Sequence, residues 1–91
     1  MSGQKVFLNE LIIIQDVVVN VMLSNENKYS ETEDLLIDTT YETIYKILEL
    51  IDGYGTNKRK YEVKDSTNDE IINKKTCFHN MCEESLLHTT I

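Results

Sequence analysis

The sequence predicts a mainly α fold of the α+β kind: an antiparallel helical hairpin followed by a small β-hairpin and a short C-terminal helix, all within one domain over residues 1 to 91. Three observations predict it. Apolar residues are concentrated in residues 6 to 23 and 35 to 51, and in both stretches they recur at alternating steps of four and three. There are no prolines and only three glycines, Gly3, Gly53 and Gly55, so long uninterrupted elements are permitted. Past Gly55 the pattern changes to short alternating and turn-like stretches.

The first element is expected over residues 4–24 and contains "LIIIQDVVVNV" at 11–21. On a helical wheel Lys5, Asn9, Asp16, Asn20 and Asn27 share one narrow arc, whereas Phe7, Leu11, Ile14, Val18, Val21 and Met22 lie opposite. A strand would place Asn9 and Asp16 on opposite faces. The spacing through 7, 11, 14, 18 and 21 is that of a helix-packing seam. Its cost is propensity, because Val17, Val18, Val19 and the isoleucines are β-branched and lose rotamer freedom in a helix. Glu10 and Asp16 interrupt the apolar run, which argues against both a secretory signal and a bilayer-spanning segment.

The second helix is expected over 31–52. Ser30 and Glu33 have the spacing of a capping box, Ile37, Tyr41, Ile44, Leu48 and Ile51 repeat the seam spacing, and Gly53 supplies a left-handed stop. Thr39 and Glu42 form another capping pair, so a restart near Asp38 is an alternative. The linker "SNENKYS" is short and polar, and it should fold the two helices back antiparallel.

A small hairpin is expected over 58–73. "KRKYEVKD" puts Tyr61 and Val63 on one side and Lys60, Glu62 and Lys64 on the other, "STND" reads as its turn, and "EIIN" as the return strand. The last element, a helix over 77–88, has Thr76 as its cap.

Composition narrows the function classes. The net charge is −7, and the stretch from Glu26 to Asp52 holds most of it, with eight acids against two lysines. Such a field repels nucleic acid and anionic membranes and attracts a basic partner. No Gly-rich phosphate loop, nucleophile elbow or H-E-x-x-H motif is present, and so short a chain builds no large pocket, so no enzyme and no cofactor are expected. A calcium loop at 65–76 fails because Glu70 stands where glycine is needed and Thr76 where glutamate is needed. Thr89-Thr90-Ile91 has the form of a peptide that adds to a sheet edge, but three residues match by chance too often to carry weight.

Cys77 and Cys82 are the two cysteines. On one helix their Cα atoms stand about 7.5 Å apart, beyond disulfide reach, which suits a reduced, cytoplasmic protein. With His79 and His88 they are ligand types for a metal- or redox-responsive regulator, although the spacing is that of no zinc finger. Lys58, Arg59, Lys60 and Lys64, with Tyr61 among them, offer a second alternative, a small nucleic-acid binder through residues 58–64; lysines protecting an edge strand explain the same residues.

The favoured reading concerns surfaces. Glu31, Asp38, Glu42 and Glu49 form a stripe on the second helix with Tyr45 at its margin, a docking face for a basic protein partner. The first helix is apolar around most of its girth, with Leu8, Ile12, Val19 and Leu23 to one side of the seam. More chain than remains after Gly55 is needed to cover it. The expectation is therefore self-association through Phe7, Leu11, Ile14, Val18 and Val21 in a symmetric homodimer that pairs hairpins into a four-helix layer. The whole is read as a small, acidic, non-enzymatic protein–protein interaction module, an adaptor or an inhibitor of the immunity or antitoxin kind.

Overall fold

The computed structural model describes residues 2 to 89 and is mainly helical, with two long helices packed antiparallel. Helix α1 spans Gly3–Asn25, a 3₁₀ turn covers Glu26–Lys28, and α2 spans Thr32–Glu49. A widened last turn, Leu50–Tyr54, ends at Gly53, whose φ of 101° is the left-handed stop expected there. Strands β1 (Lys64–Asp65) and β2 (Glu70–Ile71) follow, then a 3₁₀ turn at Phe78–Met81 and a short α3 at Cys82–Ser85.

Helix α1 begins where the Ser2 hydroxyl accepts from the Lys5 amide at 3.2 Å. Its buried ridge is Glu10, Ile14, Val18 and Met22, a strict step of four. The seam expected from 4,3,4,3 spacing is thus rotated at its end, where Met22 goes in and Val21 comes out. Ile14, Val18, Met22 and the fully buried Leu50 form the core, with Phe7, Leu11, Tyr29, Leu35, Ile47 and Tyr61 packed against it.

Three local expectations are corrected. First, Ser30 and Glu33 form no capping box: Glu31 is the cap residue and makes no side-chain cap bond. The linker is anchored instead by Tyr29, whose hydroxyl reaches Asp38 at 2.7 Å. Second, α2 runs unbroken through Asp38, and Thr39 Oγ1 bonds back to the Leu35 carbonyl at 2.7 Å rather than capping a restart. The face of α2 turned to α1 carries Leu35, Ile47 and Leu50, whereas Ile37, Tyr41, Leu48 and Ile51 are half-buried and Ile44 exposed. Third, the helix expected over 77–88 is only the 3₁₀ turn plus α3, and beyond Ser85 the chain is extended. Distance explains this. The tail is held at Asp52 by His79 and at Asp38 by Thr89. Fourteen residues of helix separate those carboxylates by about 21 Å, and ten residues of continuous helix would cover only about 15 Å.

The hairpin is shorter than the alternation suggested, with Lys64 opposite Ile71 and Asp65 opposite Glu70 across the "STND" turn. Beyond it Asn73 substitutes for ladder pairing: its side-chain amide donates to the Tyr61 carbonyl at 2.8 Å and accepts from the Val63 amide at 2.9 Å. Tyr61 meets Phe7 edge-on at 5.1 Å, which fastens this arm to the start of α1. Gly55 permits the close return of the chain past Leu50, since a Cβ there would lie 2.6 Å from Leu50 Cδ1.

The result is a slab of 44 × 31 × 19 Å, barely two helix diameters thick. Its radius of gyration is 14.9 Å, against about 12 Å for a compact domain of this length. Accessible surface tells the same story: 6710 Å², against about 5,500 Å² for a folded chain of this mass. With so few buried apolar side chains, Leu50→Ala is expected to lower unfolding stability by about 2–5 kcal/mol, read as a shift of the urea midpoint. Gly55→Ala is expected to lower it by about 1–3 kcal/mol through overpacking.

Candidate functional site

Three carboxylates are taken out of water, and each organises a segment. Glu10, inside the apolar run of α1, accepts a hydrogen bond from the Thr56 hydroxyl and so ties the loop after α2 to α1. Asp38 receives the Tyr29 hydroxyl at 2.7 Å, the Thr89 amide at 2.7 Å and the Thr89 hydroxyl. Asp52 receives the Phe78 amide at 3.2 Å, the His79 amide at 2.9 Å and His79 Nδ1 at 2.6 Å. Its carboxylate therefore caps the 3₁₀ turn from 26 residues away, where Thr76 had been expected to cap a helix.

The acidic stripe expected on α2 is accordingly divided. Asp38, expected as a docking residue, is buried and its carboxylate is bonded within the chain as an internal anchor. Burial pushes its carboxyl up, but hydrogen bonds from the Thr89 side chain, the Thr89 backbone and Tyr29, with the attraction of His88, outweigh that and hold it below the usual carboxylate range. The same bond pushes the Tyr29 phenol up to about 12. Glu31 is exposed, and Glu49 is half-buried with Lys46 Nζ at 3.9 Å. Glu42 and Tyr45 line a groove with Tyr41, His79, Asn80 and Glu83. The rings of Tyr41 and Tyr45 lie nearly parallel at 6.1 Å. Burial first, and neighbouring acids after it, push both phenols up. The groove thus brings two carboxylates, Glu42 and Glu83, beside two phenol rings.

The residues expected to self-associate are used inside the chain. Ile14 and Val18 are buried against α2, Phe7 and Leu11 are packed on that core, and only Val21 is exposed. The more open flank of α1 is that of Leu8, Ile12, Val19 and Leu23, continued on α2 by Leu36, with Ile12 64% exposed and Leu23 59%; Ile13, Val17 and Val21 are exposed on the other flank. Through Lys28, α1 is the one described helix long and apolar enough to cross a membrane, with a mean hydropathy of 1.8.

The four thiol and imidazole residues do not gather. Cys82 is buried, its thiol directed at the Phe78 carbonyl and pushed up first by burial. His88 lies over Tyr41 at 4.9 Å, with its Nε2 2.9 Å from the Glu83 carbonyl. Cys77 and His79 instead lie with Asp52, their ligand atoms within 4.8 Å of one another. Both cysteines are free. In the basic segment Lys64 is paired with Asp69 at 3.0 Å, and the half-buried Tyr61 ring meets Phe7 edge-on. Thr90 and Ile91 lie outside the described residues. Sequence reasoning missed Glu10, Asp52 and Asn73; an acid within an apolar run, as Glu10 is, was the available signal for a buried anchor. No protein family, curated protein or solved structure matches the chain.

Asp38 yields a pH prediction. Its folded-state pKa lies below the unfolded value of about 3.9, so its contribution is complete above that range and is lost as pH falls through the lowered folded value. Urea midpoints are expected to fall more steeply between about pH 5 and about pH 2 for the wild type than for Asp38→Asn. At neutral pH, Asp38→Ala should cost about 2–3 kcal/mol and speed hydrogen exchange at the Thr89 amide.

Proposed function

We propose that this is a small, acidic, non-enzymatic interaction module that pairs with a second copy of itself through the open flank of α1 and offers its acidic groove to a basic partner. It acts as an adaptor or as an inhibitor of the immunity or antitoxin kind, in the cytoplasm. The observation that carries the reading is the surplus of exposed surface together with its location. The slab exposes about 1,200 Å² more than its mass requires, and specific interfaces bury about 800 Å² per partner. Leu8, Ile12, Val19, Leu23 and Leu36 supply an apolar strip on one side of the hairpin, and strips of that kind mark association sites. A copy of the same chain fits because a flat helical pair presents such a strip to its symmetry mate in a four-helix layer.

The groove adds the second half. Glu42 and Glu83 sit at its rim with Tyr41 and Tyr45 as its wall, chemistry that favours an arginine or lysine from a positively charged protein and speeds the encounter. The acids of α2 and of the linker oppose an anionic lipid surface or nucleic acid as occupant.

Light scattering coupled to size exclusion is expected to give twice the chain mass at micromolar concentration. Ile12→Asp and Val19→Asp, both at exposed positions, should return the monomer with unchanged helical circular dichroism. A wild-type monomer under those conditions would remove self-association from the reading.

A further inference from the structure

We propose that Asp52, Cys77 and His79 form a binding site for a divalent cation of the zinc class, which fastens the C-terminal segment to the end of α2. The inference is independent of self-association and rests on the donor set and on the charge it leaves unbalanced.

The Asp52 side chain has no solvent exposure, and its ionic partner among the described residues is His79. No lysine or arginine is paired with it in the described ion pairs. His79 Nδ1 and an Asp52 oxygen stand 2.6 Å apart, the contact of a ring N–H donating to a carboxylate. A metal ion that takes both atoms as ligands replaces that proton and widens the pair. Cys77 supplies the third donor, with the three ligand atoms within 4.8 Å of one another. Edges of a zinc tetrahedron are about 3.3–3.8 Å for bonds of 2.0–2.3 Å, so binding moves the His79 nitrogen and the Asp52 oxygen apart from their 2.6 Å contact and brings any donor standing beyond that edge length inward. Cys77 is half-buried and stands just before the 3₁₀ turn.

The donor chemistry is selective. One thiolate, one imidazole and one carboxylate suit zinc and disfavour calcium or magnesium, which take all-oxygen shells. Thiolate and carboxylate together carry two negative charges, which a divalent cation neutralises without a further counter-ion. A solvent molecule completes the tetrahedron. The site is also held in advance: the Tyr54 and Tyr45 rings flank His79 edge-on at 5.0 and 6.0 Å, and the Phe78 and His79 amides fix the carboxylate. Binding expels the Cys77 thiol proton, and any proton on the ligating His79 nitrogen, to solvent, so affinity rises with pH.

The test is titration of the full chain with zinc chloride under reducing conditions, read by native mass spectrometry, and with cobalt(II), read by its visible spectrum. One metal per chain is expected, with a sulfur-to-cobalt charge-transfer band and a raised urea midpoint. Cys77→Ser should abolish the band and weaken zinc at least tenfold, as should His79→Gln, whereas Cys82→Ala and His88→Ala should retain both. Asp52→Asn is expected to weaken zinc similarly; should it unfold, the Cys77 and His79 variants decide. Absence of a one-to-one complex, or binding untouched by Cys77→Ser in a chain of unchanged helix content, overturns the proposal.

Discussion

The arrangement depends on carboxylates that are withdrawn from water and fully occupied. Burying a carboxylate costs several kcal/mol unless hydrogen bonds replace its hydration, so each buried acid dictates where its donors must lie. Asp52 fixes the chain at Phe78 and His79, Asp38 fixes it at Thr89, and Glu10 fixes the loop at Thr56. Apolar packing alone would not specify these paths, because oily contact is non-directional. The core of Ile14, Val18, Met22 and Leu50 holds α1 to α2, and the carboxylates decide how the remainder is laid over them.

Helix α2 is therefore the central element. It packs α1 through Leu35, Ile47 and Leu50, and it meets the C-terminal segment through Asp38, Tyr41 and Tyr45. Among the described residues, the contacts of the chain after Gly55 fall on the C-terminal segment's side of α2 and on the N-terminal half of α1, where Tyr61 meets Phe7 and Thr56 meets Glu10, and the β-hairpin stands largely in solvent. None of these contacts is on the side of α1 that carries Ile12 and Leu23. A slab this thin cannot hide a helix that is apolar around most of its circumference, and that geometrical shortage underlies the reading of the protein as half of a larger assembly.

Much of the fold was legible in the sequence. Both long helices, the left-handed stop at Gly53, the turn after Asp65 and the order of elements follow from periodicity and turn chemistry. What periodicity could not supply was the partner of each face. The α2 seam through Ile37, Tyr41 and Ile44 was read as facing α1, but spacing alone does not say which of two flanking layers a stripe will meet. Local capping rules likewise failed at Ser30 and Thr76, because the decisive bonds come from Tyr29 and Asp52, residues placed by tertiary structure. Of the candidate docking residues, Glu42 and Tyr45 fell in one groove, while Asp38 proved internal since burial of a single acid leaves no mark in charge patterning. Asp52 escaped notice as a neighbour of Cys77 because 24 residues of intervening chain conceal the contact.

The shared use of Asp38 has a consequence for motion. One carboxylate receives both the interhelical linker, through Tyr29, and the end of the tail, through Thr89. Neither segment can peel away without leaving the other's donor facing a carboxylate that has begun to rehydrate. Linker and tail thus belong to one cooperative opening unit despite standing sixty residues apart, and a perturbation at either is transmitted to the other without passing through the core.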